Sequence, residues 1–250
     1  MRNIKLVIEY DGTRYFGWQK QPELKTIQEE IEKAIKKITK EDVKLIGSGR
    51  TDKGVHARGQ VANFHTNSKI PADKFKFALN SVLPFDISIK ESIEVDESFH
   101  ARYSAKGKEY RYLVYNSKIR SPLLRNYSYH VPYALDLSKI KEGAKFFVGT
   151  YDFRAFMSSR SCMEDTVRTI YNLEIVEEGD LIEFKVTGNG FLYNMVRIIV
   201  GTLIEVGCGK KKIEDIPKII ESKDRNKAGH TAQPQGLYLE RVFYNPSEII

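Results

Sequence analysis

Apolar positions along the first forty residues recur with two different periods. Over residues 3–10 (NIKLVIEY) they alternate and stop at Asp11-Gly12, which predicts a β-strand closed by a turn. Over 25–39, Ile27, Ile31, Ala34, Ile35 and Ile38 recur at three- and four-residue spacing, which predicts an amphipathic helix opened by Thr26 as its cap. The pattern continues with a strand at 43–47, a Gly-rich loop, a strand at 60–66, a helix at 71–82 and a strand at 85–94. The order is β-α-β-β-α-β.

The rest of the chain repeats that order. A strand is predicted at 107–116, a helix at 136–148, a strand pair at 168–177 and 181–187, a helix at 191–206 and a strand at 236–244. The expectation is an α+β fold of two split βαβ (ferredoxin-like) halves, forming a mostly antiparallel sheet flanked by helices, with a central cleft. A boundary near 100–107 gives halves of 1–104 and 105–250. No sequence repeat relates them, so the duplication is one of pattern alone.

Composition narrows the class. With 41% hydrophobic and 29% charged residues the chain reads as a globular protein able to bury a core. Its start, MRNIKLVIEYDG, lacks the uninterrupted apolar stretch of a secretory signal. The most apolar window, FLYNMVRIIVGTLIEVG, is interrupted by Arg197 and Glu205 and is too short and polar to span a bilayer. Two distant cysteines, Cys162 and Cys208, form no disulfide framework and fit a reducing, cytoplasmic setting. The net charge of +7 permits a polyanionic partner, and its distribution is more telling than its total. Residues 101–120 carry six Lys or Arg against one Glu, and 47–69 carry four against one Asp, which is Asp52.

That lone acid lies in GSGRTDKGVHARGQ, residues 47–60. The stretch is no P-loop, because Gly54 is followed by Val55 rather than Lys-Ser/Thr, and no dinucleotide loop, because position 52 is not glycine. Asp52 can be a turn residue bonded to local backbone. Arg50, Lys53 and Arg58 beside it would equally hold a carboxylate ionised, ready to act as nucleophile or base, or would attract phosphates themselves. Charge alone leaves both open. In the apolar 191–206 segment, Asn194, Arg197 and Gly201 line one narrow edge, and a buried Arg197 needs a carboxylate partner, structural or catalytic. On KEYRYLVYN, strand alternation puts Lys108, Tyr110, Tyr112 and Val114 on one face. These tyrosines suit packing; with Lys106, Lys108 and Arg111 they also suit a basic, aromatic surface that stacks RNA bases. No His, Cys or carboxylate grouping has metal-ligand spacing, so neither metal nor cofactor is expected. His56, close to Asp52, can position RNA or stabilise the loop.

These stretches resemble the TruA family of tRNA pseudouridine synthases along nearly the whole chain. The resemblance is carried by YDGTRYFGWQKQP, TIQEEIEKA, GSGRTDKGVHARGQVANF, FHARYSAKGKEYRYLVYN, TVRTI, NGFLYNMVRIIVGTLIEVG and GLYL. It implies a duplicated fold with a central RNA-binding cleft, no cofactor, tRNA as partner through its anticodon stem–loop at positions 38 to 40, and a homodimer. It also implies roles: Asp52 as catalytic aspartate, Arg50 as its motif arginine, Tyr110 against the target base, and Arg197 paired with the aspartate. Lys53 and Arg58 stand where the family usually has a small and an uncharged residue, and GHTAQPQGLYL differs from the usual approach to the last strand. The alternatives are a paralogue acting on ribosomal or other structured RNA, a non-catalytic RNA-binding protein, and a small-molecule enzyme.

Overall fold

The structure is a computed structural model that describes residues 1–159 and 163–249; Cys162 lies outside the described residues. The elements run β1 (Arg2–Tyr10), α1 (Ile27–Thr39), β2 (Ile46–Gly47), β3 (His56–Thr66), α2 (Phe75–Asn80), β4 (Ile87–Val95) and β5 (Gly107–Asn116). There follow β6 (Tyr129–Val131), α3 (Leu137–Ala144), β7 (Gly149–Asp152), β8 (Val167–Glu178), β9 (Leu181–Gly188), α4 (Met195–Gly207), α5 (Asp215–Ser222) and β10 (Leu237–Phe243). The fold is α+β, with mostly antiparallel strands flanked by helices. Two compact units divide it: Met1–Lys106 with Tyr238–Pro246, and Gly107–Leu237 with the last four residues.

In the first unit β1 lies between β3 and β4, antiparallel to both. The other edge of β3 takes β2 antiparallel at one end and β10 parallel at the other. Alternation along β1 buries Ile4, Leu6, Ile8 and Tyr10, which is why the period-two pattern was visible in the sequence. Ile27, Ile31 and Ile35 of α1 and Phe75 and Leu79 of α2 are likewise buried, and Phe75 meets Phe64 of β3 edge-on at 5.6 Å. Each such side chain contributes about 1.5–3 kcal/mol by leaving water.

Helix α1 begins differently from the expectation. Thr26 occupies the cap position but its side chain makes no capping hydrogen bond. The first helical N–H groups are instead taken up from outside: Ile27 N donates to Gly17 O at 3.2 Å and Gln28 N to Trp18 O at 3.0 Å. The helix start is thereby tied to residues 17–18.

The second unit orders its strands β6–β5–β9–β8–β7, antiparallel except for the β5–β6 pair. Tyr112 and Val114 of β5, Phe184 and Val186 of β9, and Ile198, Ile199 and Leu203 of α4 are all fully buried. Helix α4 is apolar nearly all round because it is enclosed on most sides; Arg197 and Glu205 are its only charged positions. The expected helix at 136–148 is α-helical to Ala144 and then tightens into a 3-10 turn at Lys145–Phe147.

Candidate active site

In the first unit the 47–60 loop is closed at its base by one buried amide. Ser48 Oγ donates to Gln60 Oε1 at 2.7 Å, and Gln60 Nε2 donates to Gly49 O at 3.0 Å. Gln60 is fully buried, and its bond from Ser48 is shielded from water. Further along, the Thr51 hydroxyl pairs with Tyr10 Oη at 2.8 Å in a buried contact, and Thr51 O accepts from Trp18 N at 3.0 Å. Burial pushes the Tyr10 phenol up, which keeps it a neutral hydrogen-bonding group.

Asp52 comes next, half-buried, at the first position of a turn. Val55 N donates to Asp52 O at 3.1 Å, with Gly54 at φ +77°, a conformation glycine adopts without penalty. The turn is closed through the Asp52 backbone carbonyl. The carboxylate is carried on a backbone fixed on both sides by Thr51 and by the turn.

The neighbouring cations have distinct surroundings. Arg50 Nε donates to Gln19 Oε1 at 3.2 Å, and the exposed Lys53 ammonium lies 4.1 Å from the centroid of the Phe16 ring. Arg50, Asp52 and Lys53 are therefore brought together against residues 16–19. His56 and Arg58 stand at the start of β3 beside Tyr238. The His56 ring stacks on Tyr238 at 4.8 Å, and Arg58 NH1 is 3.7 Å from Glu240 Oε1. His56 is 2% exposed, and its Nδ1 accepts from Gly12 N at 3.1 Å. The same Nδ1 lies 3.2 Å from Asp11 Oδ1. The geometry makes His56 a brace between the 11–12 turn and the loop.

In the second unit β5 holds Lys108, Tyr110 and Tyr112 on one face, as alternation predicts. Tyr110 is 8% exposed and meets Phe191 edge-on at 5.1 Å. Tyr112 is fully buried, and its hydroxyl donates to Gln233 O at 2.6 Å. Burial pushes its phenol well above the usual tyrosine range, and the field of Arg197 acts in the opposite direction. Its polar atom is aimed at the protein's own backbone, which gives it a positioning part rather than an RNA-facing one. Arg111 lies 2.7 Å from Glu183, so much of its charge is already balanced.

Arg197 projects from the first turn of α4. Its NH1 donates to Asn194 Oδ1 at 2.7 Å and its Nε to Ala232 O at 2.7 Å. Asn194 holds a left-handed backbone (φ +63°) at the helix start, a conformation that asparagine tolerates better than most non-glycine residues. The edge of Asn194, Arg197 and Gly201 seen in the sequence is where residues 229–232 lie against α4. Sequence reasoning marked GHTAQPQGLYL only as a departure from the family pattern and did not identify its packing on α4, nor the bracing by Gly17 and Trp18, which carry no titratable chemistry. Among the described residues no group of three His, Cys, Asp or Glu is arranged to hold a metal, and no helix is long and apolar enough to cross a membrane.

The family model described as tRNA pseudouridine synthase matches residues 6–104 and 144–245. The chain is 59% identical over 244 residues to tRNA pseudouridine synthase A of Acetivibrio thermocellus, covering 98% of this chain and 100% of that protein. Over the same coverage it is 61% identical to tRNA pseudouridine synthase A of Caldicellulosiruptor saccharolyticus. It is also 56% identical to tRNA pseudouridine synthase A 2 of Clostridium perfringens, again covering 98% of this chain and 100% of that protein. The chain belongs to the tRNA pseudouridine synthase family.

Proposed function

We propose that this chain is an isomerase that converts uridine to pseudouridine in tRNA, at positions 38, 39 and/or 40 of the anticodon stem–loop, with Asp52 as catalytic carboxylate. The observation that carries the activity is the near-full-length likeness to tRNA pseudouridine synthases, up to 61% identity among those compared. The assignment to Asp52 is supported by its half-buried place on a loop that Tyr10, Trp18 and Gln60 hold fixed.

The reaction balances without any added reagent. The bond from uracil N1 to C1′ breaks, the base turns, and C5 bonds to C1′. The C5 proton is lost and N1 gains one, so composition and oxidation level are unchanged. For this the base must leave its stack, at a cost of a few kcal/mol, and be held while detached. Tyr110 supplies an aromatic surface for it. Asp52 acts as the ionised carboxylate, and Arg197 is the cation that favours its charged form. Arg50, Lys53, Arg58 and Lys108 serve the phosphate backbone, while His56 and Tyr112 act from the interior by fixing the elements that carry the others. The enzyme is further proposed to work as a homodimer in the cytoplasm.

Position is tested with tRNA transcripts that retain uridine at only one of positions 38, 39 and 40. Conversion confined to these transcripts supports the assignment; conversion that persists when all three are cytidine overturns it. Sedimentation at assay concentration tests the dimer, and a monomer that retains full turnover refutes it.

A further inference from the structure

Residues 229–233 (GHTAQ) lie outside every helix and strand, yet each of the five is tied to a different side chain or backbone group of the second unit. Gly229 N donates to Thr202 Oγ1 at 2.9 Å. His230 N donates to Glu205 Oε1 at 2.9 Å, and its ring Nδ1 lies 2.9 Å from the same oxygen. Thr231 Oγ1 accepts from Arg225 NH2 at 3.0 Å. Ala232 N donates to Arg197 O at 3.1 Å, and Ala232 O accepts from Arg197 Nε at 2.7 Å. Gln233 O accepts from the buried Tyr112 hydroxyl at 2.6 Å.

This strap reaches α4 only because position 201 has no side chain. A Cβ on Gly201 would lie 1.9 Å from His230 O, a backbone atom that could yield only by moving the strap. Arg197 sits one helical turn before Gly201. Its guanidinium ends a long flexible side chain, and the bonds to Ala232 O and Asn194 Oδ1 fix two edges of the planar group and so its orientation. One of those two acceptors is strap backbone, and the residue after it is locked by Tyr112.

We infer that the 229–233 strap is the positioning element for Arg197, with Gly201 and Tyr112 as positioning residues that act on turnover through it. The inference rests on the proposed role of Arg197 in serving Asp52. A strap displaced by an ångström carries Ala232 O with it and turns the guanidinium. Misplacement of that size in a catalytic array costs about 100-fold in rate.

The test measures kcat and KM on an unmodified tRNA transcript for Gly201→Ala and Tyr112→Phe, each made in the natural background and in Arg197→Ala. Folding is followed by circular dichroism and thermal unfolding, and Tyr112→Phe, which removes one atom, serves if Gly201→Ala does not fold. The expected result is a fall in kcat, about 100-fold for Gly201→Ala and smaller for Tyr112→Phe, with KM unmoved. In the Arg197→Ala background neither should lower kcat further, because the group they act through is gone. Unchanged kcat in the natural background, the same loss in both backgrounds, or a raised KM alone would overturn the inference. Full kcat in Arg197→Ala by itself would overturn the reading of Arg197 instead, and the strap's role with it.

Discussion

Gly17 packs directly on the backbone of Asp52. A Cβ at position 17 would lie 3.1 Å from the Asp52 carbonyl carbon and 2.5 Å from Thr51 O, and Gly17 has φ +91°. The same short segment accepts the first N–H groups of α1 and donates to Thr51 O, so the helix start braces the acid's loop through it.

Gly17→Ala should therefore harm chemistry more than binding. The added methyl must push the Thr51–Asp52 backbone, and the left-handed φ costs about 1–3 kcal/mol in stability. We expect kcat to fall about 100-fold, with a lowered Tm and a tRNA Kd within a few fold of the natural protein's. A Kd that weakens as much as kcat would show that the loop is moved away from RNA contact as well.

Tyr10→Phe removes a buried hydroxyl that interacts with the side chains of Thr51 and Gln60. It leaves the Thr51 hydroxyl in a buried site without the phenol it meets at 2.8 Å. Destabilisation of about 1–3 kcal/mol is expected, read as a lower urea midpoint at unchanged slope. A midpoint equal to the natural protein's would mean that the hydroxyl contributes nothing to stability.

Lys53 and Arg58 should differ in their contribution to tRNA affinity. Arg58 is already within 3.7 Å of Glu240, whereas Lys53 lies over an aromatic ring at 4.1 Å. Lys53→Ala should lower the salt slope of tRNA binding by about 1, and Arg58→Ala by less. Titrations at several salt concentrations check this, and equal slopes for the two variants would refute it.

Asp136 caps α3 and gives an acid-dependent contribution to stability. The Ser138 hydroxyl, the Lys139 side chain and the Lys139 N–H hold its carboxyl down from its ordinary 3.8 to about 2. A depressed folded-state value means that the contribution is complete above about pH 3.8 and is lost as pH falls through about 2. Asp136→Asn keeps the capping oxygen and removes the charge. Its Tm should lie below the natural protein's near neutrality, and the gap should close as the pH drops through that window.

Much of the fold was legible because its core elements are locally self-consistent. The strand predicted at 107–116 is β5, since alternation of Tyr110, Tyr112 and Val114 follows directly from one buried face. What was missed depends on distant residues. Strand β3 starts at His56 rather than 60 because His56 and Ala57 pair with Tyr238 and Leu239. Gly59 resembles a turn residue in sequence, but a Cβ there would lie 2.4 Å from Glu240 O across that pairing. Periodicity predicted the strand at 236–244 without saying which neighbour would take it up. Helix α5 was not among the elements predicted; its Pro217 lies in the first turn, where proline removes no helical hydrogen bond. The loop around Asp52 stood out by its charge and glycines; the bracing by Gly17, Trp18 and Gln60 did not, since those residue types announce no chemistry. Tyr112 looked like part of an aromatic surface because alternation gives a face without saying whether that face is covered.

The most direct test of the central claim uses tRNA labelled with tritium at uridine C5, incubated with the natural protein and with Asp52→Asn. Forming the C5–C1′ bond releases that label to water, one equivalent for each uridine converted. The account predicts release by the natural protein and none by Asp52→Asn, with the variant still binding tRNA. Full release by Asp52→Asn would contradict the assignment of the catalytic carboxylate, and no release by the natural protein from tRNA it binds would contradict the activity itself.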